Sequence, residues 1–283
     1  MSSIIDIHPH IVSPDTKAYP LDPLGGTQST WSSERPTTYD DLLAAMNEAG
    51  VAKAAIVHSS TAYGYDNSYV ADAVKAVPSR FTGVYSIDTL APDVVETFDY
   101  WLGRGGTGMR LFTTGSTLPG QATWFADPKT YPFWEHAAAT NIPVCMQMKQ
   151  EGIPLLRGIM DKFPKVTIVL DHLARTRFED GQPYKGADDL VALAKYKQAY
   201  LKITPTNFSP KSWSKATPET FFGKMIDAFG ADRIAWGSNF PNSPGTMKEI
   251  LTAARKAFSF AKSSDQDWIF GKTAQVLYPS LKD

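Results

Sequence analysis

The feature that most constrains the fold is a regular alternation of short apolar runs with longer amphipathic segments along all 283 residues. The apolar runs predict eight β-strands, at residues 4–10, 54–58, 81–87, 108–112, 143–148, 166–171, 200–203 and 234–237. Helices are predicted between and after them, at residues 38–49, 67–77, 93–101, 132–140, 153–162, 188–195, 218–229, 246–257 and 265–277. Strands that alternate with helices are typical of parallel sheets covered by helices.

Eight strand–helix units predict an α/β fold in which the parallel strands close into a (β/α)8 barrel of the TIM type. An open, doubly wound sheet is the alternative, but no glycine-rich phosphate-binding motif follows the first strand. No linker, repeat or low-complexity tract divides the sequence. We therefore predict one domain over residues 1–283, with an added C-terminal helix.

Composition and charge exclude several classes of partner. The net charge is −1 and no block of basic residues occurs, so nucleic acid is not an expected partner. No apolar stretch is long enough to span a bilayer, and the N-terminus does not resemble a signal peptide. The single cysteine, Cys145, allows no internal disulfide. These features predict a cytoplasmic protein, and the aromatic residues of the long loop at residues 13–36 could support a homo-oligomer.

Polar residues recur where the predicted strands end, which is where enzymes of this fold place their active sites. Alternate residues of a strand point the same way, so His8 and His10 should project together. Such a pair suits a metal ion, a substrate anion or a proton transfer. The other strand ends contribute His58, Arg110, Lys149, His172, Arg175, Lys202 and Asn239. Each also has a purely structural interpretation: a histidine can be part of the core, and a lysine can extend to the rim.

Several motifs resemble the amidohydrolase superfamily. They are the HxH of His8 and His10, the Asp-His-x-x-Arg of residues 171–175, and the Trp-Gly-Ser-Asn-Phe-Pro of residues 236–241. Residues 63–67, 108–111 and 271–274 are similar to its amidohydrolase-2 branch of lactone hydrolases, which includes 2-pyrone-4,6-dicarboxylate hydrolase and 4-sulfomuconolactone hydrolase. The resemblance extends over essentially the whole chain.

This resemblance implies a distorted barrel in which His8, His10 and His172 form the core of the site. Some members hold one divalent metal ion there, Zn²⁺ or Mn²⁺, and some lactonases of the branch work without one. The family's aspartate after the eighth strand is replaced here by Asn239. An amide cannot accept the proton of an attacking water and is a weaker metal ligand than a carboxylate. The resemblance therefore leaves both a metal site at the three histidines and a metal-free site open, with His10 or His172 as the expected base.

The cationic residues at the strand ends indicate an anionic substrate, because guanidinium groups bind carboxylates and sulfonates in a bidentate manner. We therefore expect a hydrolase that opens a carboxylated or sulfonated lactone of the muconolactone or pyrone type. His8, His10, His172 and Asn239 are the predicted catalytic residues. The predicted substrate-binding residues are His58, Tyr63, Asn67, Arg110, Lys149, Arg175 and Lys202. Two alternatives stay open: a metal-dependent decarboxylase of an aromatic or muconate-type acid, and an anion-binding barrel without turnover.

Overall fold

A computed structural model describes residues 3–208 and 213–282 of the chain. Eight strands form one sheet in which neighbours follow the order of the sequence, and every neighbouring pair is parallel. The strands are β1 (Ile5–Asp6), β2 (Lys53–Val57), β3 (Phe81–Tyr85), β4 (Gly106–Phe112), β5 (Val144–Gln147), β6 (Ile168–Leu170), β7 (Ala199–Ile203) and β8 (Ile234–Trp236).

The first and last strands meet and close the sheet into a nearly complete barrel. Ile7 N donates a hydrogen bond to Trp236 O at 3.2 Å. The buried carboxylate oxygen Asp6 Oδ1 accepts hydrogen bonds from His8 N at 2.9 Å and from Ser238 N at 2.8 Å. The predicted (β/α)8 barrel is therefore confirmed, and the open sheet is wrong. The barrel is distorted at β1, which pairs over two residues only, so His8 and His10 lie beyond the strand predicted to carry them.

The helices largely match the segments predicted from the sequence. They are α1 (Thr30–Glu34), α2 (Tyr39–Ala49), α3 (Ser60–Tyr63), α4 (Ser68–Ala76), α5 (Val94–Leu102), α6 (Tyr131–Thr140), α7 (Ile153–Lys162), α8 (Asp188–Ala192), α9 (Pro205–Phe208), α10 (Pro218–Phe229), α11 (Met247–Ala257), α12 (Ser263–Asp267) and α13 (Thr273–Leu277). Thr38 caps α2 and shares a capping box with Asp41. Among the described helices, none is long and apolar enough to cross a membrane.

Three helices fall where the sequence predicted only loop, and one predicted helix is broken. α1 lies inside the loop at residues 13–36, α3 follows β2, and α9 follows β7. The predicted helix at residues 265–277 is instead α12, a π-helical turn over Trp268–Lys272, and α13. Single helices of four or five residues carry too little periodicity to be recognised in a sequence.

Apolar side chains fill the lower part of the barrel interior. Ile5, Val57 and Cys145 are fully buried there, and the C-terminal segment closes this end with Leu277 and Tyr278. The remaining apolar residues form a second core between the sheet and the surrounding helices. Since side chains alternate along a strand, the inward positions above this floor are free to carry polar groups, and these build the site.

Candidate active site

A cavity of about 630 Å³ opens at the C-terminal ends of the strands. Trp31 of α1 and Ser60 at the start of α3 contribute to its wall, together with Gln147 at the end of β5. Six of the residues predicted from the sequence line it: His10, His58, Arg110, His172, Arg175 and Asn239. The polar strand ends therefore meet in one place, as the barrel geometry requires.

Four residues predicted to bind substrate lie outside the cavity lining: Tyr63, Asn67, Lys149 and Lys202. Tyr63 accepts a hydrogen bond on its hydroxyl from Ser13 N at 2.7 Å, so it anchors the long first loop. The Asn67 amide holds the backbone of Ser86: Nδ2 donates to the carbonyl oxygen and Oδ1 accepts from the amide N–H, both at 2.9 Å. Lys149 is half-buried and does not contribute to the wall. Tyr63 and Asn67 are placed as supports for loops, because their polar atoms are used by backbone groups.

A carboxylate between two cations lies directly under the cavity. Arg110 Nε and Lys202 Nζ each approach the Asp171 carboxylate to 2.8 Å, on Oδ2 and Oδ1 respectively. Burial by itself raises the pKa of Asp171, but Lys202 and Arg110 outweigh it and hold that pKa well below its usual range. Two cations against one carboxylate leave an excess of positive charge. Lys202 is fully buried beneath the cavity and does not line it, and its contact with substrate stays a prediction.

His8 is the histidine in contact with this charged cluster. Its Nδ1 atom lies 3.1 Å from Lys202 Nζ and 3.7 Å from Asp171 Oδ1. Its Nε2 atom is buried and has no hydrogen-bond partner among the described residues. The ring packs edge-on against His10 and His172, with centroid distances of 4.9 Å and 4.8 Å. Burial, followed by the Lys202 charge, lowers the pKa of His8 well below its usual value, so the ring is neutral.

His10 lies at the cavity wall with a defined tautomer. Its Nδ1 atom is 2.8 Å from Val57 O, and a carbonyl oxygen only accepts, so Nδ1 carries the proton. The lone pair is then on Nε2. Burial, and then the nearby Arg110, lowers the pKa of His10 to about 3. Trp31 covers the ring at a centroid distance of 5.3 Å. His10 therefore presents a neutral acceptor at the cavity, in the form that a general base needs.

His172 is positioned by an unusual backbone. Residues 172–175 all have φ between 50° and 54°, a left-handed turn formed by non-glycine residues. Each such residue is unfavourable by ~1–2 kcal/mol, and backbone strain of this kind concentrates at functional sites. Asn207 Nδ2 supports the turn by donating to His172 O at 3.0 Å, and Thr204 Oγ1 lies 2.6 Å from His172 Nδ1. Burial lowers the pKa of His172 to about 3, so this ring is also neutral.

His58 is a third imidazole of the wall. Its Nε2 atom donates to Gly64 O at 3.0 Å, which leaves the lone pair on Nδ1. Nδ1 is buried without a hydrogen-bond partner among the described residues. Burial lowers the pKa of His58 to about 4. A substrate hydroxyl would find an acceptor here.

Asn239 occupies the position at which the family carries an aspartate. It adopts φ 52°, a left-handed conformation that asparagine tolerates well. Its Nδ2 atom donates to Ser243 Oγ at 2.9 Å, while Oδ1 is buried without a partner among the described residues. The site therefore offers an amide oxygen, which accepts a hydrogen bond but not a proton.

The mouth of the cavity is also cationic. Arg175 is exposed there, and Arg35 reaches it from the residue after α1 while its Nη1 donates to Ser243 O at 3.2 Å. Glu34 is the one carboxylate among the described residues of the lining. Sequence reasoning missed Glu34 and Arg35, because they lie in the loop at residues 13–36 and not at a strand end. The length of that loop was the available signal.

The donor set does not fit the divalent metal ion that the resemblance implies. His8, His10 and His172 come together, but the group nearest to His8 Nδ1 is the Lys202 ammonium at 3.1 Å, closer than the Asp171 carboxylate at 3.7 Å. Asn239 supplies no negative charge, and Asp171 is already engaged by two cations. Within residues 3–208 and 213–282, no group of three or more histidine, cysteine, aspartate or glutamate side chains is arranged to hold a metal ion. Divalent cations need negative charge or free lone pairs that converge on one point.

The geometry has parallels among known proteins. A family model described as amidohydrolase (Amidohydro_2) matches residues 5–280. An L-fucono-1,5-lactonase of Burkholderia ambifaria is 24% identical over 127 residues, which make up 42% of this chain and 42% of that protein. The matched segment thus spans less than half of that lactonase.

Solved structures share the fold over the whole chain. A candidate 2-pyrone-4,6-dicarboxylic acid hydrolase of Pseudomonas putida has a TM-score of 0.81 at 19% identity, with 100% of both chains covered. A Burkholderia multivorans amidohydrolase with bound zinc has a TM-score of 0.77 at 16% identity over 98% of this chain and 99% of that one. A dihydroxybenzoic acid decarboxylase of Polaromonas sp. JS666, with bound manganese and 2-nitroresorcinol, has a TM-score of 0.69 at 17% identity over 100% of this chain and 98% of that one.

These comparisons agree with the predicted resemblance. Identities below 25% show a shared fold, and the zinc and manganese structures show that related barrels bind divalent ions. The family model covers nearly the entire sequence. The chain belongs to the amidohydrolase family.

Proposed function

We propose that this protein hydrolyses a lactone that carries a carboxylate or sulfonate group. The observation that carries the proposal is a neutral histidine acceptor, His10, in a cavity whose floor and mouth are cationic. Ester hydrolysis needs a base for the attacking water and positive charge where the oxyanion develops. The cavity offers both.

The attacking water would lose its proton to His10 Nε2 as its oxygen bonds to the lactone carbonyl carbon. Asn239 Oδ1 would accept the second hydrogen of the water and orient it. Arg110, together with the excess positive charge beneath it, would stabilise the oxyanion of the tetrahedral intermediate. As the ring C–O bond breaks, the proton on His10 passes to the departing ring oxygen. Every step uses groups of this chain, and none depends on a metal ion.

The anionic group of the substrate would bind at the mouth of the cavity. Arg175 and Arg35 lie there, and a guanidinium binds a carboxylate or sulfonate in a bidentate manner. Trp31 adds a flat apolar surface that suits a planar ring. We call Arg175 and Arg35 the cationic rim. A neutral sugar lactone would make no use of them, and we therefore favour the charged lactones of the pyrone and muconolactone type.

The alternative of decarboxylation has support from the fold of the Polaromonas enzyme but less from the site. Loss of CO₂ requires a proton donor for the carbanion that forms. His10, His58 and His172 have lowered pKa values of about 3 to 4, so the imidazoles of the wall are neutral and poor acids. A barrel that only binds anions is the remaining alternative.

One panel of compounds distinguishes these functions. Purified protein is mixed with matched pairs of lactones, with and without a carboxylate, and with aromatic acids, each with and without a chelator. We expect ring opening, followed as acid release and by NMR, to be faster for the charged lactone and unchanged by chelation. Release of CO₂ would instead establish a decarboxylase. Calorimetric binding without turnover would leave the non-catalytic alternative, and equal rates for both lactones would contradict the role of the cationic rim.

Location and assembly stay predictions. A single cysteine, free and buried, is consistent with the expected cytoplasmic location, and cell fractionation would test it. The predicted homo-oligomer would be tested by sedimentation of the purified protein.

A further inference from the structure

Three hydrogen-bond acceptors surround the ammonium group of Lys202. Its Nζ atom lies 2.8 Å from Asp171 Oδ1, 3.1 Å from His8 Nδ1 and 3.3 Å from Cys145 Sγ. An ammonium group has three N–H donors and no acceptor. The ammonium group therefore donates to His8 Nδ1 and Cys145 Sγ and pairs with the Asp171 carboxylate as its counter-ion.

The ammonium form of Lys202 follows from its surroundings. The side chain is fully buried, and Asp171, which is buried with it, is held as a carboxylate between Lys202 and Arg110. A buried carboxylate at hydrogen-bond distance stabilises the charged form of the amine. With the amine protonated, His8 Nδ1 can only be the acceptor of the 3.1 Å contact.

We propose that Lys202 is a positioning residue that fixes His8 as the neutral tautomer protonated on Nε2. His10 has the opposite tautomer, because Val57 O can only accept from its Nδ1. The two histidines of the HxH motif would therefore be chemically different. His10 offers a lone pair on Nε2, and His8 offers an N–H on the same ring atom.

This difference has two consequences for the site. A metal ion needs the Nε2 lone pair, so His8 in this form is not a ligand. The Nε2–H group of His8 is also a buried donor that has no partner among the described residues, packed against His10 and His172 of the cavity wall. Such a donor suits a negatively charged oxygen. In the proposed hydrolysis this would be an oxygen of the lactone, and only the identity of that oxygen rests on the proposed function.

The tautomers can be measured directly by long-range ¹H–¹⁵N NMR of the histidine rings in the full-length protein. The five histidines are few enough to assign by single substitutions. In the wild type we expect His8 protonated on Nε2 and His10 protonated on Nδ1. In Lys202→Met, His8 should move to the Nδ1 tautomer, with Asp171 Oδ1 as the acceptor, while His10 stays unchanged.

Cys145→Ala is the matched control. It removes another partner of the same ammonium group but leaves the contact with His8, so the His8 spectrum should stay that of the wild type. A wild-type His8 protonated on Nδ1 would overturn the proposal, and so would an unchanged His8 in folded Lys202→Met. If Lys202→Met does not fold, the wild-type spectrum decides alone. Neither readout depends on turnover, so a protein inactive on lactones would leave this result intact.

Zinc titration by calorimetry gives an independent readout. Lys202→Met frees the His8 lone pair and removes a nearby positive charge, so its affinity for Zn²⁺ should rise at least about tenfold over the wild type, the scale at which outer-shell partners act on metal sites. Cys145→Ala should bind Zn²⁺ as weakly as the wild type. Tight binding by the wild type, with a change in the His8 ring signals, would contradict the proposal.

Discussion

Asn239 Nδ2 donates a hydrogen bond of 2.9 Å to Ser243 Oγ, and this leaves Asn239 Oδ1 as the end of the amide without a partner among the described residues. A second hydrogen bond holds the loop at residues 239–243, since Ser243 N donates to Asn239 O at 2.8 Å. The serine therefore decides which end of the amide is available to a ligand.

Removing that hydroxyl should impair positioning without disturbing the base. In Ser243→Ala the amide loses one hydrogen bond, a contribution of ~1 kcal/mol, which corresponds to about a fivefold lower kcat/KM. Ser243→Thr keeps the hydroxyl and serves as the control. Steady-state kinetics of both variants on the best charged lactone measure the effect. An unchanged rate in Ser243→Ala would remove Asn239 from the proposed orientation of water.

Arg175 should bind the charged group of the substrate. It is exposed at the cavity mouth, and Arg175→Gln should raise KM for a carboxylated lactone by about 10- to 100-fold, as expected for one hydrogen bond to a charged group. KM for the neutral analogue and the melting temperature should change little. Arg177→Gln is the control, since Arg177 pairs with Glu151 at 2.7 Å and does not line the cavity. Equal effects of the two variants would contradict the assignment.

Asp171 should be essential for stability. Asp171→Asn leaves Arg110 and Lys202 buried without their counter-charge, which destabilises the fold by about 3–5 kcal/mol. The comparison is Asp99→Asn, which breaks an exposed pair with His136 and should change stability by less than about 1 kcal/mol. Urea unfolding at neutral pH measures both. Similar unfolding midpoints for the two variants would show that the charge of Asp171 does not stabilise the buried Arg110 and Lys202.

Asp6 predicts a pH dependence of stability. Burial raises its pKa from 3.8 to about 6, so the folded state binds this proton more tightly than the unfolded state. The contribution of the protonated Asp6 carboxyl to folding stability is complete below pH 3.8 and is lost as the pH rises through 6. Asp6→Asn keeps an oxygen for the N–H groups of His8 and Ser238 but has no charge. As the pH rises from 4 to 7, the free energy of unfolding of Asp6→Asn should therefore increase relative to that of the wild type by up to about 3 kcal/mol, the equivalent of two pKa units. A constant difference in unfolding free energy across this range would contradict the raised pKa.

The base should remain active in mildly acidic solution. Since the pKa of His10 is lowered to about 3, the ring keeps its lone pair well below neutral pH. We therefore expect kcat/KM to stay level from pH 8 down to pH 5 and to fall only below that. The profile is measured with a substrate whose carboxylate stays ionised over this range. An acidic limb centred near 6.5, the ordinary value for histidine, would exclude His10 in this environment as the base.

The fold could be predicted because its signals are local. Each strand and most helices occupy a continuous segment, and the position of the cavity then follows from the direction of the strands. The end of β1 was predicted wrongly, because the apolar run continues to Ile7 while the hydrogen-bonded ladder stops at Asp6. Only the paired neighbour decides where a ladder ends.

The chemistry of the site depends on contacts between distant residues and was less predictable. The Lys202–His8 contact joins residues 194 positions apart, and it decides the tautomer of a histidine that the motif alone suggests as a metal ligand. Asn67 and Tyr63 carry a family motif, yet backbone groups occupy their polar atoms. A motif identifies which residues approach a site, whereas their partners determine which atoms remain available.

The floor of the barrel has a consequence for how the chain folds during synthesis. Tyr278 contacts Cys145 across 133 residues, its hydroxyl lying 3.4 Å from the Cys145 sulfur, and Leu277 and Leu281 pack beside it. Until this segment leaves the ribosome, the inward apolar residues of β1, β2, β3, β5, β6 and β8 remain open to water at one end. We therefore expect nascent chains that stop short of residue 273 to remain protease-sensitive and dependent on chaperones, because long-range contacts of this kind form late.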